Sequence, residues 1–325
     1  MTSPVVEVSH LRKTYPGTRR GAAPKTAVAD VSFQVARGEI FGILGPNGAG
    51  KTTTVECVAG LRHADGGTVR VLGHDPQSDP APVREHIGVQ LQEAALHDRI
   101  TVGEALTVFG SFYPRRADPA ELLDLLDLTA HRDQQFGKLS GGQKQRLSIA
   151  LALVGKPQVA ILDELTTGLD PAARRATWDL VERVRDSGVT VLLVTHFMEE
   201  AERLCDRLVV IDGGRVVAEG TPSALVEGLA GDRGVRLRFA DAVARSNAMR
   251  LLTALADRDD DVTAAAPLGD EIEVKGTRKV LFAVVQALAA ADVVPDDVRT
   301  LERTLEDVFV QVTGREYREN EEVAA

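Results

Sequence analysis

The sequence feature that most restricts the fold is the segment GPNGAGKT at residues 45–52, which fits the pattern G-x-x-x-x-G-K-[ST]. A short apolar run, Ile40 to Leu44, precedes it, and a segment of helical character, Thr53 to Leu61, follows it. A glycine-rich turn between a buried strand and a helix gathers backbone N–H groups and the positive end of the helix dipole around one anion. The sequence therefore predicts a phosphate-binding loop within an α/β fold.

Two pairs of side chains have the chemistry of a nucleoside triphosphate site. Lys51 offers a positive charge to the β- and γ-phosphates, and the hydroxyl of Thr52 offers a ligand to Mg²⁺. A second apolar run, Val159 to Leu162, ends in Asp163 and Glu164. The carboxyl ends of parallel strands form the edge where ligands bind. Because successive strand residues point in opposite directions, we expect Asp163 to hold Mg²⁺ and Glu164 to polarise the attacking water.

The order of the predicted elements indicates a mostly parallel sheet. Strand-like and helix-like segments alternate from residue 159 to residue 211, which is typical of a sheet with helices on both faces. We expect the first strands to form an antiparallel β subdomain and a helical insert to occupy about residues 94–155. His196 follows the apolar run Val189 to Thr195 at the same kind of strand end, a position suited to sensing the γ-phosphate.

The segment after a break at residues 228–234 has a different order. Its predicted elements follow the pattern βαββαβ, which indicates a small α+β domain of the split-βαβ type. The sequence thus predicts a nucleotide-binding domain at residues 1–230, an accessory domain at 234–314 and a frayed tail at 315–325.

Composition excludes several classes of protein. The 325 residues carry a formal net charge of −10, which argues against a nucleic-acid partner, since phosphate contacts need a basic surface. The two cysteines, Cys57 and Cys205, have no metal-binding spacing and are expected to be buried thiols in a reducing compartment. No signal segment is apparent, and no run reaches the roughly 18 apolar residues of a spanning helix. We therefore expect a cytoplasmic protein.

The segment LSGGQ, Leu139 to Gln143, places a serine and two glycines at the start of a predicted helix, which is a second potential anion site. This segment closely resembles the signature motif of the ATP-binding cassette (ABC) ATPases. Other pieces agree in order and kind over about residues 5–230. Gly168-Leu169-Asp170 resembles the D-loop, and Gln92, after the strand Ile87 to Leu91, resembles the Q-loop glutamine.

The resemblance implies a set of roles at one ATP and Mg²⁺ site. Tyr15 would stack on adenine, Glu164 would be the general base, and His196 would contact the γ-phosphate. Gln92 would touch Mg²⁺ and the attacking water, together with the metal ligands Thr52 and Asp163. Gln90 competes for that role, but it would lie within the strand. Phosphates and metal would be cradled by Gly45, Pro46, Asn47, Gly48, Ala49, Gly50, Lys51, Thr52 and Thr53.

The resemblance also implies a partner subunit. In the family, two cassettes pack head to tail and sandwich two nucleotides. Ser140, Gly141 and Gly142 would contact the γ-phosphate of ATP bound to a second cassette, and Gln143 and Asp170 would belong to the same site in trans. Because the first loop already accounts for the nucleotide of this chain, the serine–glycine segment is interpreted as half of a site that another copy completes. A homodimer is therefore expected.

Two further features refine the expectation. The family usually has proline after the catalytic glutamate, whereas this chain has Leu165, which removes a constraint on the backbone of Glu164. The C-terminal segment Leu305 to Gly314 is similar to the tail of drug-resistance-type ABC exporter ATPases. We therefore expect the ATPase subunit of an exporter, whose polytopic membrane subunits would dock on the insert around residues 94–138 and hold it at the inner face of the membrane.

Three alternatives stay open at this point. An importer ATPase would share every cassette motif. A non-transport ABC protein that acts on DNA or ribosomes commonly has tandem cassettes, zinc modules or basic arms, and none is apparent here. A P-loop kinase or GTPase would leave the LSGGQ segment without a purpose, and the N-K-x-D guanine motif is absent.

Overall fold

The computed structural model of the chain describes residues 3–17, 23–90, 96–229, 233–301 and 303–314. The chain divides into two compact units, one of which is Val226–Val308. This division lies close to the domain boundary expected from the sequence, and the exact boundaries at residues 230 and 234 stay a prediction.

The larger unit contains one sheet of nine strands, in the order β4-β1-β2-β9-β8-β3-β7-β6-β5. The strands are β1 (Val6–Tyr15), β2 (Lys25–Val35), β3 (Ile40–Leu44), β4 (Gly66–Val71), β5 (Ile87–Gln90), β6 (Val159–Asp163), β7 (Thr190–Thr195), β8 (Arg207–Asp212) and β9 (Arg215–Gly220). Strands β8, β3, β7, β6 and β5 pair in parallel, whereas β4, β1 and β2 pair antiparallel. The expected parallel core with an antiparallel β subdomain is confirmed.

The central strands are apolar because both of their faces are covered. Every residue of β3, β6 and β7 is buried, as the uninterrupted apolar runs in the sequence predict for parallel strands. Their ends are in register: Leu44 lies beside Thr195, and Asp163 lies beside Val194. The loops that follow these three strands therefore leave the sheet at one edge.

Helices of the larger unit include α1 (Lys51–Val58), α2 (Pro80–His86), α3 (Val102–Gly110), α4 (Pro119–Leu125), α5 (Gly141–Leu153), α6 (Pro171–Asp186) and α7 (Met198–Leu204), and α8 (Pro222–Glu227) follows β9. Helices α3, α4 and α5 lie between β5 and β6, together with two 3₁₀ turns at Thr129–His131 and Phe136–Lys138. They form the expected helical insert. No helix among the described residues is long and apolar enough to cross a membrane.

Strand β1 is longer than the sequence predicted. The sequence indicates a strand over Val5 to Val8. In the structure β1 continues to Tyr15 and pairs with β2 on one side and β4 on the other. Pairing on both edges satisfies the backbone groups, so the strand continues although most of its last side chains are only partly buried.

The smaller unit has the predicted βαββαβ order: β10 (Arg233–Arg238), α9 (Ala242–Ala256), β11 (Val262–Leu268), β12 (Glu271–Gly276), α10 (Val280–Ala290) and β13 (Asp297–Leu301). Its strands form an antiparallel sheet in the order β11-β12-β10-β13. Buried side chains of the sheet, such as Leu237 and Ile272, share one core with Leu252 of α9 and Val284 of α10. The last described helix is α11 (Leu305–Thr313).

Candidate nucleotide site

A cleft of about 350 Å³ lies at the edge where β3 and β6 end. Its lining consists of Tyr15, Lys25, Ala27, Asn47, Gly48, Gly50, Lys51, Thr52, Thr53 and Glu164. Eight of these ten residues are among the predicted ligands, and the sequence interpretation missed Lys25 and Ala27. Lys25 lies directly opposite Tyr15 in the pairing of β1 with β2. The register of that pair is the signal that could have placed it.

The glycine-rich loop is shaped by its backbone. Gly50 precedes α1 with φ +106°, a conformation that glycine adopts without strain. A Cβ atom at this position would collide with the carbonyl oxygen of Ala27 in β2. The loop can therefore approach β2 only because residue 50 is glycine.

Lys51 is the first residue of α1 and is only 4% exposed. Its Nζ donates hydrogen bonds to the carbonyl oxygens of Gly45, at 2.8 Å, and Pro46, at 3.2 Å. Burial lowers the pKa of Lys51, whereas the carboxylates of Glu164 and Asp163 oppose that effect. The ammonium group is thus held between the loop and two acids.

Tyr15 ends β1 at the rim of the cleft. Its hydroxyl lies 3.3 Å from Oγ1 of Thr53 in α1. The guanidinium of Arg62 lies 5.2 Å from the centre of the ring, and Nζ of Lys13 lies 5.8 Å from it. Cations at these distances are attracted by an aromatic ring, so both side chains help to fix its position.

Asp163 is the last residue of β6 and is 1% exposed. Its backbone N–H donates to Oε1 of Gln90 at the end of β5, at 3.1 Å. Neither carboxylate oxygen has a hydrogen-bond partner among the described residues. Burial raises the pKa of Asp163 to about 6, with a further increase from Glu164, while Lys51 and the Thr52 hydroxyl act in the opposite sense.

Of the two glutamines near the end of β5, the structure describes only Gln90. Gln90 lies within β5, as expected, and supports the backbone of Asp163. Gln92 lies outside the residues that the structure describes. Its role beside the metal and the attacking water stays a prediction.

Glu164 has a left-handed backbone, with φ +49°. Its N–H donates to the carbonyl oxygen of Val194 in β7, at 2.9 Å. Such a conformation costs a non-glycine residue on the order of 1 kcal/mol. The next residue, Leu165, is buried at 1% exposure, so this turn is anchored in the core without the usual proline.

His196 lies next to Glu164 rather than apart from it. Its Nδ1 is 3.4 Å from Oε1 of Glu164, and both side chains are mostly buried. The His196 ring holds the pKa of Glu164 below its usual range against the opposing effect of burial, and Lys51 adds to the lowering. Glu164 is therefore ionised at neutral pH, as a proton acceptor must be.

Ser140 is the N-cap of α5 and forms a capping box with Gln143. Its Oγ accepts from the N–H of Gln143 at 3.3 Å, and its own N–H donates to Oε1 of Gln143 at 2.9 Å. Nε2 of Gln143 lies 3.0 Å from Nε2 of His131, whose Nδ1 is 2.8 Å from Oε1 of Gln134. Ser140 and Gly141 are exposed.

The predicted in-trans residues do not join the cleft. Its described lining contains none of Ser140, Gly141, Gly142, Gln143 and Asp170. Asp170 is exposed and caps α6, where its Oδ1 accepts from the N–H groups of Ala172, at 2.9 Å, and Ala173, at 3.0 Å. These bonds lower the pKa of Asp170, with the bond from Ala173 contributing most. Within one chain, Asp170 thus has a structural use.

The remaining predicted residues, Gly45, Pro46 and Ala49, support the cleft from behind. Gly45 and Pro46 bind Lys51 through their carbonyl groups, and Ala49 is buried. A glycine-rich loop, a buried lysine and two acids at the ends of parallel strands together define a P-loop nucleoside triphosphatase.

Comparison with known proteins narrows this class. Residues 28–167 match the ABC transporter family. The chain is 41% identical over 333 residues to the daunorubicin/doxorubicin resistance ATP-binding protein DrrA of Streptomyces peucetius, covering 98% of this chain and 96% of that protein. It is 39% identical to the Nod factor export ATP-binding protein I of Paraburkholderia xenovorans (strain LB400), covering 98% of this chain and 100% of that protein. The chain belongs to the ATP-binding proteins of the ABC transporter family.

Solved structures agree with this assignment. An ATP-binding subunit of an ABC transporter is 30% identical, with a TM-score of 0.58 and coverage of 69% of this chain and 92% of that one. A dimeric ATP-binding cassette in a post-hydrolysis state, bound to ADP and Pi, is 25% identical, with a TM-score of 0.59 and coverage of 66% and 98%. The predicted ABC fold and its ATP-hydrolysing class are confirmed, and the export-type relatives favour the exporter over the importer alternative.

Asp163→Asn should raise the free energy of unfolding of the nucleotide-free and magnesium-free protein at about pH 8, by about 1–3 kcal/mol. The pKa of Asp163 is raised from 3.8 to about 6, so above that pH the folded protein holds an unfavourable buried charge. The gain should shrink as the pH falls towards 4, where the unfolded chain also binds the proton. Urea unfolding across this range measures the effect.

The control is Asp170→Asn. The pKa of Asp170 is lowered in the folded protein, so its charge contributes stability above its unfolded pKa and loses it on acidification. This variant should not gain stability at any pH. Equal stability of Asp163→Asn and the natural protein between about pH 6 and pH 8 would contradict the buried-charge interpretation.

Proposed function

We propose that this chain is the ATP-hydrolysing subunit of an ABC exporter, and that it drives outward transport of small hydrophobic molecules through separate membrane-spanning subunits. The observation that carries the proposal is the cleft, in which Lys51 and Glu164 converge while the signature loop lies outside it. Relatives whose names include drug resistance and Nod factor export support the direction of transport.

ATP would bind along the loop and the rim of the cleft. Tyr15, fixed by Thr53, Arg62 and Lys13, would offer a ring on which adenine stacks. The N–H groups of the loop and the start of α1 would bind phosphate oxygens. Lys51 would exchange its bonds to loop carbonyls for bonds to the β- and γ-phosphates. Lys25 would add a second positive charge at the rim.

The residues beside Lys51 fit Mg²⁺. The two buried carboxylate oxygens of Asp163 have no hydrogen bond of good geometry among the described residues, and the Thr52 hydroxyl is near enough to lower the pKa of this acid. Hard oxygen donors of this kind are the ligands that Mg²⁺ prefers. Asp163, Thr52 and the predicted ligand Gln92 would hold the ion, which when bound neutralises charge on the β- and γ-phosphates.

Glu164 would act as the general base. Its carboxylate faces the cleft, is ionised at neutral pH and lies 3.4 Å from His196. It would orient a water and accept its proton as that water attacks the γ-phosphorus. His196 would keep the carboxylate in place and contact the γ-phosphate. Ser140, Gly141 and Gly142 are not among the described residues that line this cleft, which supports a site completed by a second copy of the chain.

The assembly that follows is a homodimer held at the inner face of the cell membrane by polytopic permease subunits. Each cleft would be closed by the signature loop and Asp170 of the other copy. The helical insert would receive the permease, so that hydrolysis changes the contact between them. No nucleic-acid partner is expected of a chain with net charge −10.

Glu164→Gln should bind ATP normally but hydrolyse it at least about a hundredfold more slowly, because the amide cannot accept the proton of water. Steady-state phosphate release and nucleotide binding measure the two effects separately. Glu199→Gln, an exposed glutamate of α7, is the matched control and should retain turnover. Near-normal turnover of Glu164→Gln would refute its role as base.

A mixture of two inactive variants tests the composite site. Ser140→Arg blocks the signature loop, and Lys51→Ala removes the phosphate-binding cation. In a heterodimer of the two, one site combines the natural Lys51 of the first variant with the natural Ser140 of the second, and the other site has both changes. If equal amounts pair at random and each site acts independently, about half of the dimers are mixed, and mixing should restore about a quarter of the natural activity. If mixing gave no gain over the separate variants, the site would not be shared between subunits.

The permease prediction is tested by affinity capture of the full chain from native membranes. The expected product is a polytopic membrane protein that co-purifies in fixed proportion. A surface variant in the helical insert, Phe112→Ala, should weaken capture, because Phe112 is 71% exposed and offers an apolar contact. Recovery of ribosomes or DNA instead would favour the non-transport alternative.

A further inference from the structure

Glu200 is a buried carboxylate for which the proposed mechanism has no use. It lies in α7, which begins two residues after His196, and its side chain is fully buried. Its Oε1 accepts two hydrogen bonds, from Oγ1 of Thr166 and from Nε1 of Trp178, each at 3.1 Å. The hydroxyl of Thr195 also interacts with it and lowers its pKa.

This carboxylate is costly to bury. Burial raises its pKa, against the lowering by Thr195, Thr166, Trp178 and Arg174, and its Oε2 has no hydrogen-bond partner among the described residues. Well-packed apolar groups often replace such buried charges without loss of stability. Stability alone therefore does not explain why this position is a glutamate. The hydrogen-bond partners of Glu200 indicate a role beside the proposed catalytic groups.

The partners of Glu200 flank the proposed catalytic groups. Thr166 lies two residues after Glu164, and Thr195 immediately precedes His196. Both threonines are fully buried, so their hydroxyl groups have few alternatives to the bonds they make. One carboxylate thus binds the turn that carries the proposed base and lies near the strand end that carries the histidine, close enough to Thr195 for that hydroxyl to lower its pKa.

The connection continues towards the signature loop of the same chain. The carbonyl oxygen of Thr166 accepts from the N–H of Leu169, at 3.2 Å. The side chain of Leu169 lies 3.8 Å from the place where a Cβ of Gly141 would be. The segment between Glu164 and Asp170 is therefore held by Glu200 at one end and packs beneath the signature loop at the other.

We propose that Glu200 is a positioning residue for hydrolysis. It fixes the distance between Glu164 and His196. Through Thr166 and Leu169 it also couples the position of the turn after β6 to that of the signature loop, which would serve the second copy. The inference rests on the proposed function, because the roles of Glu164 and His196 do. Trp178, the second donor to Oε1, lies in α6 and is not among the described residues that line the cleft, so its bond is expected to contribute to stability rather than to turnover.

The two donors to Oε1 allow a matched test. Thr166→Val and Trp178→Phe each remove one hydrogen bond to the same oxygen and keep most of the side-chain volume. Thr166→Val should lower kcat by at least about tenfold and leave KM for ATP within about twofold, because misplacement of the base affects chemistry and not the phosphate loop. Trp178→Phe should lower the melting temperature to a similar extent and keep kcat.

Variants of Glu200 itself complete the set. Glu200→Gln retains an oxygen that can accept both bonds and should rescue most of the turnover that Glu200→Leu loses. If Glu200→Leu does not fold, Thr166→Val and Thr195→Val still test the idea. Glu199→Gln is the control for a change of charge on the same helix.

Two outcomes would overturn the proposal. One is an unchanged kcat in Thr166→Val. The other is a loss of kcat in both Thr166→Val and Trp178→Phe that is proportional to the drop in melting temperature of each variant. Failure of the proposed function would look different. The natural chain would then release no phosphate, or Glu164→Gln would turn over normally, whatever the Glu200 variants do.

Discussion

The electrostatic attraction between the buried ammonium group of Lys51 and the two acids at the end of β6, Asp163 and Glu164, is the interaction on which the site depends. Lys51 opens a helix after β3, and Asp163 and Glu164 end β6, with β7 between the two strands. Any one of these charges alone would be expensive to keep out of water. Parallel strands that are covered on both faces can place all three charged side chains at one edge of the sheet. The apolar runs of the sequence form the buried strands that do so.

Much of this arrangement could be predicted because its signals are local. The glycine-rich loop, the apolar strands and the βαββαβ order are each written in consecutive residues, and the structure confirms the fold they indicate. Other features depend on residues far apart in the chain. Lys25 reaches the cleft through the register of β1 with β2, and Glu200 meets Thr166 across 34 positions. No periodicity or motif encodes such a pairing.

The turn after β6 shows a different limit. Leucine in place of proline suggested a freer backbone at Glu164, yet the residue has a left-handed φ, bonded to Val194 and followed by a buried leucine. The bond to Val194 and the buried leucine hold Glu164 in a left-handed conformation, whereas proline would have favoured an extended one. A local rule describes what a residue permits, whereas the packing around it selects one of the permitted states.

The contacts of His131 fix the orientation of the Gln143 amide beside the signature loop. Because Oε1 of Gln143 accepts from Ser140, its amide N–H₂ must face Nε2 of His131, which therefore acts as an acceptor. The ring proton must then be on Nδ1, shared with Gln134, whose own amide donates to Lys138. The signature loop is thus held by a chain of side-chain hydrogen bonds that runs from Ser140 through Gln143 and the His131 ring to Gln134.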